Sequence, residues 1–327
     1  MWFNFYGFDV MGDLAFGKSF DMLKTGTTHP FMELVHAHVA LVGSLSHLAW
    51  IFPLLKRIPI LNQENCELQE RITHLVEWRM KNEPNAPDIF SWILSSYYDL
   101  GKPTFQDTVN LYGDCQLIAV AGSDTTASSL TCLFFELAIN AQAQHNLQDE
   151  LDRYYLERST PDHSSLSKLS YLQACINESM RLYPVIPSGL QRLTPSDGLQ
   201  VGDMRLPGDT IVSIPSYVFN RDERLFTHAD QFIPERWTTM TELTQDFSLF
   251  APFSIGKYSC VGKQLGLMEI RLVASQILKR FDVKLANHSA TKDFPTGLRD
   301  SFTLAAPSLW LVFTPRDAWT SSSASEK

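Results

Sequence analysis

The 327-residue sequence has no surplus of positive charge. Its 27 Lys and Arg face 36 Asp and Glu, a net charge of −9, and an acidic surface argues against nucleic acid as a partner, because phosphate binding needs a basic face. Long apolar runs are also missing. The most apolar stretch, His38 to Leu55, contains Ser44, Ser46, His47 and Pro53 and falls short of the roughly 20 residues of a spanning helix. It reads as an amphipathic or buried helix and as the place where membrane contact is expected. The start, MWFNFYGFDVMGD, lacks the basic end and apolar core of a signal peptide. The five cysteines form no C-x-x-C pair, so neither a disulfide framework nor a zinc site is suggested and a reducing compartment is favoured. Glycine and proline, 16 and 17, are too few for a collagen-like or linker-like chain, and no repeat is evident. What is present is a composition 44% hydrophobic and 19% charged, enough to bury a core.

The first half reads as helical, with segments at Trp2–Phe20, Pro30–Trp50, Gln63–Asn82, Asp88–Leu100, Thr104–Asn140, Ala141–Tyr155 and Tyr171–Leu182. In the long segment Leu111, Cys115, Ile118, Gly122 and Thr125 recur at three- and four-residue steps, marking one face. From Val185 to Pro215, alternation punctuated by Pro and Gly predicts short strands and turns. Asn220–Phe250 reads as irregular, Gly262–Phe281 as a helix, and Val283–Leu285 and Leu309–Thr314 as strands. The fold class is mainly α with a minor β-sheet region. Cys66, Cys115, Cys132 and Cys175 lie in apolar or helical stretches and are expected to be buried structural thiols.

Cys260 stands apart. In Phe253-Ser-Ile-Gly256-Lys-Tyr258-Ser-Cys260-Val-Gly262 a lone cysteine precedes a long helix. A thiolate there faces backbone N–H groups and the positive end of the helix dipole, which suits it as an axial ligand of a soft metal centre. A buried cysteine in a helix-entry turn is the alternative. Within the long helix, Gly122 costs about 1 kcal/mol against Ala, a cost explained if a ligand approaches the helix there. Asp124 is a carboxylate in an apolar stretch and Thr125 shares the Gly122 face. Such an acid and hydroxyl can relay protons, or they form a solvated, helix-bending cluster. Glu178 and Arg181 are spaced to pair on one helical face. His36 and His38, two residues apart, do not share a face and read as surface or core histidines.

Four motifs together resemble the cytochrome P450 family in the expected order. These are Ala121-Gly122-Ser123-Asp124-Thr125-Thr126, Glu178-Ser-Met-Arg181, Pro234-Glu235-Arg236-Trp237 and the loop ending in Cys260. The resemblance implies a cytochrome P450 fold and a haem b (iron protoporphyrin IX) whose iron takes Cys260 as axial ligand. Phe253, Gly256 and Gly262 would shape the haem loop, Arg192 would bind a propionate, and Gly122 would leave room beside the haem. Asp124 and Thr125 would be the catalytic proton-delivery pair. Glu178, Arg181 and Arg236 would form a buried structural network. The substrate pocket would include Ile118 and the loops bearing Val185, Ile186 and Phe302.

The implied reaction inserts one oxygen atom from O2 into an apolar small molecule, in secondary metabolism of the fungal kind, by a monomer fed electrons by NADPH-cytochrome P450 reductase. A basic patch, Lys257, Lys263, Arg271, Lys279, Arg280 and Lys284 against Glu269 and Asp282, would dock that acidic donor, or is a solvated helix face. An isomerase or dehydratase that needs no reductase is argued against by the acid–alcohol pair. Two features depart from the pattern. Tyr258 stands where the family usually has Arg or His, and no tryptophan has an arginine four residues later, so the propionate-binding W-x-x-x-R is missing. The expectation is a P450 domain over residues 1–317, N-terminally incomplete and without the anchor, N-terminal strands and first helices, then a disordered tail over 318–327. A full-length parent would sit on the cytosolic face of the endoplasmic reticulum membrane. The rival reading is a truncated, catalytically silent P450 remnant.

Overall fold

The computed structural model describes residues 1–84 and 86–316. The expected tail therefore lies outside the described residues. The chain forms two compact units, residues 1–128 with 301–303, and residues 129–300 with 304 onward.

In the first unit α1 (Trp2–Phe16), α2 (Met22–Thr25), α3 (Pro30–Leu45), α4 (Phe52–Leu55), α5 (Pro59–Lys81) and α6 (Ile89–Asp99) accompany the N-terminal part of α7 (Phe105–Ile139). Helix α1 stops four residues short of its expected end. Gly17 enters the left-handed region (φ 65°), its N–H reaches Asp13 O, and the Lys18 N–H reaches Gly12 O. This double bond back to the last turn favours glycine. Asp9 turns the chain inward, accepting the N–H groups of Met22 and Leu23 at 3.0 and 2.8 Å. The predicted single helix Pro30–Trp50 instead ends at Leu45 and continues as a 3₁₀ segment bent at Leu48.

Helix α5 begins a turn earlier than predicted, with a proline in its first turn, where a missing N–H costs nothing. Asp88 caps α6 in a reciprocal bond with Ser91. Asp88 also pairs bidentately with buried Arg79 of α5, at 2.9 and 3.0 Å. Burial pushes the Asp88 carboxyl up, but the bonds from Arg79 and Ser91 outweigh it and hold the group below its usual range. Where α1 crosses α7, a Cβ on Gly7 would stand 2.5 Å from Ser123 O, so only glycine allows that approach.

The second unit takes the rest of α7, then α8 (Ala141–Glu157), α9 (His163–Leu166), α10 (Ser170–Leu182), α11 (Ser216–Phe219), α12 (Lys263–Arg280) and α13 (Ala290–Gly297). Its core joins Cys132 and Phe135 to Leu182, Tyr183, Phe294 and Leu304, with Phe135 and Phe294 stacked at 4.3 Å. Three antiparallel pairs supply the minor sheet region, β1 (Arg192–Leu193) with β4 (Ile211–Val212), β2 (Leu199–Val201) with β3 (Met204–Leu206), and β5 (Phe281–Leu285) with β8 (Leu311–Pro315); β6 (Arg299–Ser301) pairs with β7 (Thr303–Ala305) in a hairpin whose residues 301–303 belong to the first unit. Buried Gln144 of α8 fixes β5 by exchanging two hydrogen bonds with the Val283 backbone, both 2.8 Å. The mainly helical fold with a minor sheet is as the sequence predicts.

Two expectations are corrected. Helix α7 is long and apolar enough to cross a membrane, although the sequence suggested no such stretch, and over half of its most apolar window is buried, as in a core helix. Cys66 is exposed, not buried. Cys115, Cys132 and Cys175 are buried, and burial pushes all three thiols up, Cys115 to about 12.

Candidate functional site: a cysteine loop and its buried support

The loop bearing Cys260 precedes α12. Gly256 lies at φ 77°, and a Cβ there would meet nothing within 4 Å. The glycine is therefore required by the backbone, and the space beside it is open. Ser254 also takes a left-handed φ of 57°, a strained choice for a non-glycine. The Cys260 N–H donates to Phe253 O at 2.8 Å and closes the loop. Gly262, at φ −80°, is the N-cap of α12. The Cys260 thiol is exposed.

Around Cys260, Ile255 is 75% exposed, Tyr258 69% and Val261 fully so. Large apolar side chains this open around one thiol are a surface built to be covered. One soft, exposed sulfur suits a cofactor that brings the rest of its own donor set. Among the described residues no group of three His, Cys, Asp or Glu side chains is placed to hold a metal ion. The chemistry of this loop, one soft sulfur among exposed apolar side chains, would fit a haem.

Beneath the motifs lies a buried ionic network. Glu178 and Arg181 on α10 and Arg236 in the 3₁₀ turn Pro234–Trp237 have fully buried side chains. Glu178 accepts both Arg181 Nε and an Arg181 terminal nitrogen at 2.9 Å, and Arg236 Nε at 2.9 Å. It also accepts the Ile233 N–H at 3.0 Å and Trp237 Nε1 at 2.9 Å. The remaining guanidinium donors go to backbone carbonyls, Asn220, Ala229 and Gln231 for Arg181, and Thr227, His228 and Leu243 for Arg236. The pair is thus not a solvated helix pair. Five donors on one carboxylate offset the cost of burying it. Trp237, the last residue of the third motif, joins the network although the sequence reading gave it no part in it. Tyr171, whose hydroxyl donates to Glu235 at 2.7 Å beside it, lies outside every motif and carried no signal.

Arg192 is exposed in β1 and donates to Gln191 O at 2.9 Å. Val185 and Ile186 follow α10, and the Leu304 N–H donates to Val185 O at 2.9 Å. The basic patch is not continuous. Arg271 is buried against Gln173 and Lys279 is buried over the Tyr155 ring at 3.8 Å. Lys257 and Lys263 remain exposed near Cys260, and Arg280 and Lys284 at the far end of α12, about 26 Å along the helix at 1.5 Å per residue.

In the first unit, Asp124 is 9% exposed and its Oδ1 lies 2.8 Å from His36 Nε2. Thr125 Oγ1 donates to Ala121 O at 2.8 Å. At Gly122 the Met11 thioether lies 2.6 Å from where a Cβ would stand, so a flexible side chain uses the room the glycine leaves. Ile118 is half-buried, and Phe302, 38% exposed at φ 69°, forms a strained hairpin tip. Gly43 of α3 meets that tip so closely that a Cβ would lie 2.4 Å from Phe302 N.

Residues 1–312 match the family described as Cytochrome P450. The chain is 70% identical over 316 residues to cytochrome P450 monooxygenase FCK2 of Fusarium pseudograminearum, covering 97% of this chain and 57% of the relative. It is 38% identical over 284 residues to a tryprostatin B 6-hydroxylase of Aspergillus fumigatus, covering 86% and 50%. A crystal structure of a cytochrome P450, CYP102L1, superposes with a TM-score of 0.76 at 21% identity, covering 96% of this chain and 68% of that one. The chain thus spans about half the length of these curated relatives. With the family match running through both units, the chain belongs to the cytochrome P450 family.

Proposed function

We propose that the chain is the haem-bearing part of a monooxygenase that inserts one atom of O2 into an apolar small molecule in fungal secondary metabolism. The observation that carries this is the exposed Cys260 in its apolar, glycine-opened cradle at the start of α12. Cys260 would be the axial thiolate of a haem b, with Phe253, Gly256 and Gly262 shaping the loop beneath it. Arg192 would pair with a propionate, and Gly122 would border the haem. When bound, a haem thiolate supplies dioxygen activation and the oxidising power for C–H insertion.

The protein residues supply the rest. Glu178, Arg181 and Arg236 hold α10 to the segment that leads into the cysteine loop, so the thiol is presented on a rigid base. Asp124 and Thr125 move protons to the reacting oxygen. Ile118, Val185, Ile186 and Phe302 exclude water from the substrate. A relative named Tryprostatin B 6-hydroxylase supports insertion of oxygen as the reaction. Electrons come from NADPH-cytochrome P450 reductase, whose acidic face Lys257 and Lys263 would meet. The protein would work as a monomer on the cytosolic face of the endoplasmic reticulum.

The test is turnover of the haem-loaded chain with reductase, NADPH and ¹⁸O2 against tryprostatin B and a panel of apolar compounds. One ¹⁸O atom per product molecule is expected. Haem-loaded chain that neither consumes NADPH nor labels any compound would contradict the proposal and favour a silent remnant.

A further inference from the structure

Asp124 is nearly buried on α7, and a buried carboxylate needs a partner. Its partner is His36 of α3, 88 residues away in sequence, with Nε2 2.8 Å from Oδ1. An ionised carboxylate only accepts, so Nε2 carries the proton of this bond. The two side chains differ in access to water. The Asp124 side chain is 12% exposed, whereas the His36 side chain is 35% exposed. The ring is held edge-on by Phe8 of α1, centroids 5.7 Å apart at 83°, so its plane is fixed while one side stays open to solvent. Asp9, the other buried carboxylate of this region, is occupied in holding the Met22 and Leu23 N–H groups.

We infer that His36 is a positioning residue that recharges Asp124 with protons from solvent. The inference rests on the reading of Asp124 as a proton donor. The step balances: the ring takes one proton from water at Nδ1 and gives the Nε2 proton to Asp124 Oδ1. Asp124 then gives one proton to the reacting oxygen and returns to the carboxylate, so each cycle moves one proton and no electrons through the pair. Exchange with water resets the tautomer, Nδ1 releasing its proton to solvent and Nε2 taking one up. Imidazole suits the role because it can take a proton on one nitrogen and release one from the other near neutral pH.

The test compares His36→Gln, His36→Phe and Asp124→Asn. Glutamine keeps a hydrogen-bond donor for Asp124 but cannot pass a proton. With reductase and NADPH, the share of electrons lost as hydrogen peroxide and the solvent deuterium isotope effect on NADPH oxidation should both rise at least twofold in all three. The double variant His36→Gln/Asp124→Asn should be no worse than Asp124→Asn. A His36→Gln chain that matches the unchanged one overturns the relay and leaves only a hydrogen-bond role. An Asp124→Asn chain that matches the unchanged one instead overturns the proton-donor reading beneath it. A readout independent of turnover is the ¹⁵N resonance of His36 Nε2 in the purified chain, assigned by its loss in His36→Gln. It should move in Asp124→Asn, and an unmoved resonance overturns the pairing.

Discussion

The Arg236 guanidinium reaches Glu178 across 58 residues at 2.9 Å, with both side chains wholly out of contact with solvent. Two motifs that are separate in sequence are therefore one ionic unit, which ties α10 to the 3₁₀ turn Pro234–Trp237. Removing Arg236 leaves Glu178 with a buried charge short of a partner and takes the guanidinium donor from the Thr227 carbonyl, while the His228 and Leu243 carbonyls keep the Gln231 and Thr227 N–H groups. Arg236→Ala is expected to cost about 3–5 kcal/mol, read as a lowered urea midpoint. Arg236→Lys should rescue little of it, because an ammonium cannot span four acceptors in a fixed plane.

A second buried carboxyl sets a pH dependence. Glu136 of α7 accepts the Tyr183 hydroxyl at 2.6 Å and Asn140 at 2.9 Å, and burial pushes it up to about 7 against those bonds. Below the ordinary glutamate value of 4.5 both folded and unfolded chains are protonated there, and no cost arises. From that value up to about 7 the unfolded chain ionises first, so the group's contribution to stability is lost as pH rises. Glu136→Gln should therefore gain on the unchanged chain across this window, by on the order of 2–3 kcal/mol at its upper end, and match it near pH ~4, where both forms are neutral. Thermal melts at several pH values give the comparison.

Helix crossing gives a third expectation. Gly7→Val places a Cβ within 2.5 Å of the Ser123 carbonyl oxygen, where backbone must move. A loss of about 1–3 kcal/mol is expected. Gly113, also helical, has open space where a methyl would stand, with no atom within 4 Å, so Gly113→Ala should instead gain about 1 kcal/mol. Chemical denaturation of both variants separates tertiary packing from helix propensity.

Helices with strong periodicity were legible, since α6, α7, α8, α10 and α12 lie within about two residues of their expected bounds. Helix α13 was not, because Pro295 stands inside it and proline reads as a breaker. The hairpin β6–β7 escaped because three-residue strands carry too little alternation, and its tip residue Phe302 sits at a φ that favours glycine. In the site, spacing within a motif was readable and pairing between motifs was not. His36 reads alone as a surface or core histidine because its partner is 88 residues away. The basic patch failed for a related reason: charge can be counted along a helix, but which face is buried depends on the tertiary packing that covers Arg271 and Lys279.

The central claim is that Cys260 is the axial thiolate of a haem, and the reduced, CO-bound spectrum of the haem-loaded chain tests it most directly. The account predicts the long-wavelength Soret band that marks a thiolate-ligated haem, present in the unchanged chain and absent in Cys260→Ala. A haem-loaded chain without that band, or a Cys260→Ala chain that keeps it, would contradict the account.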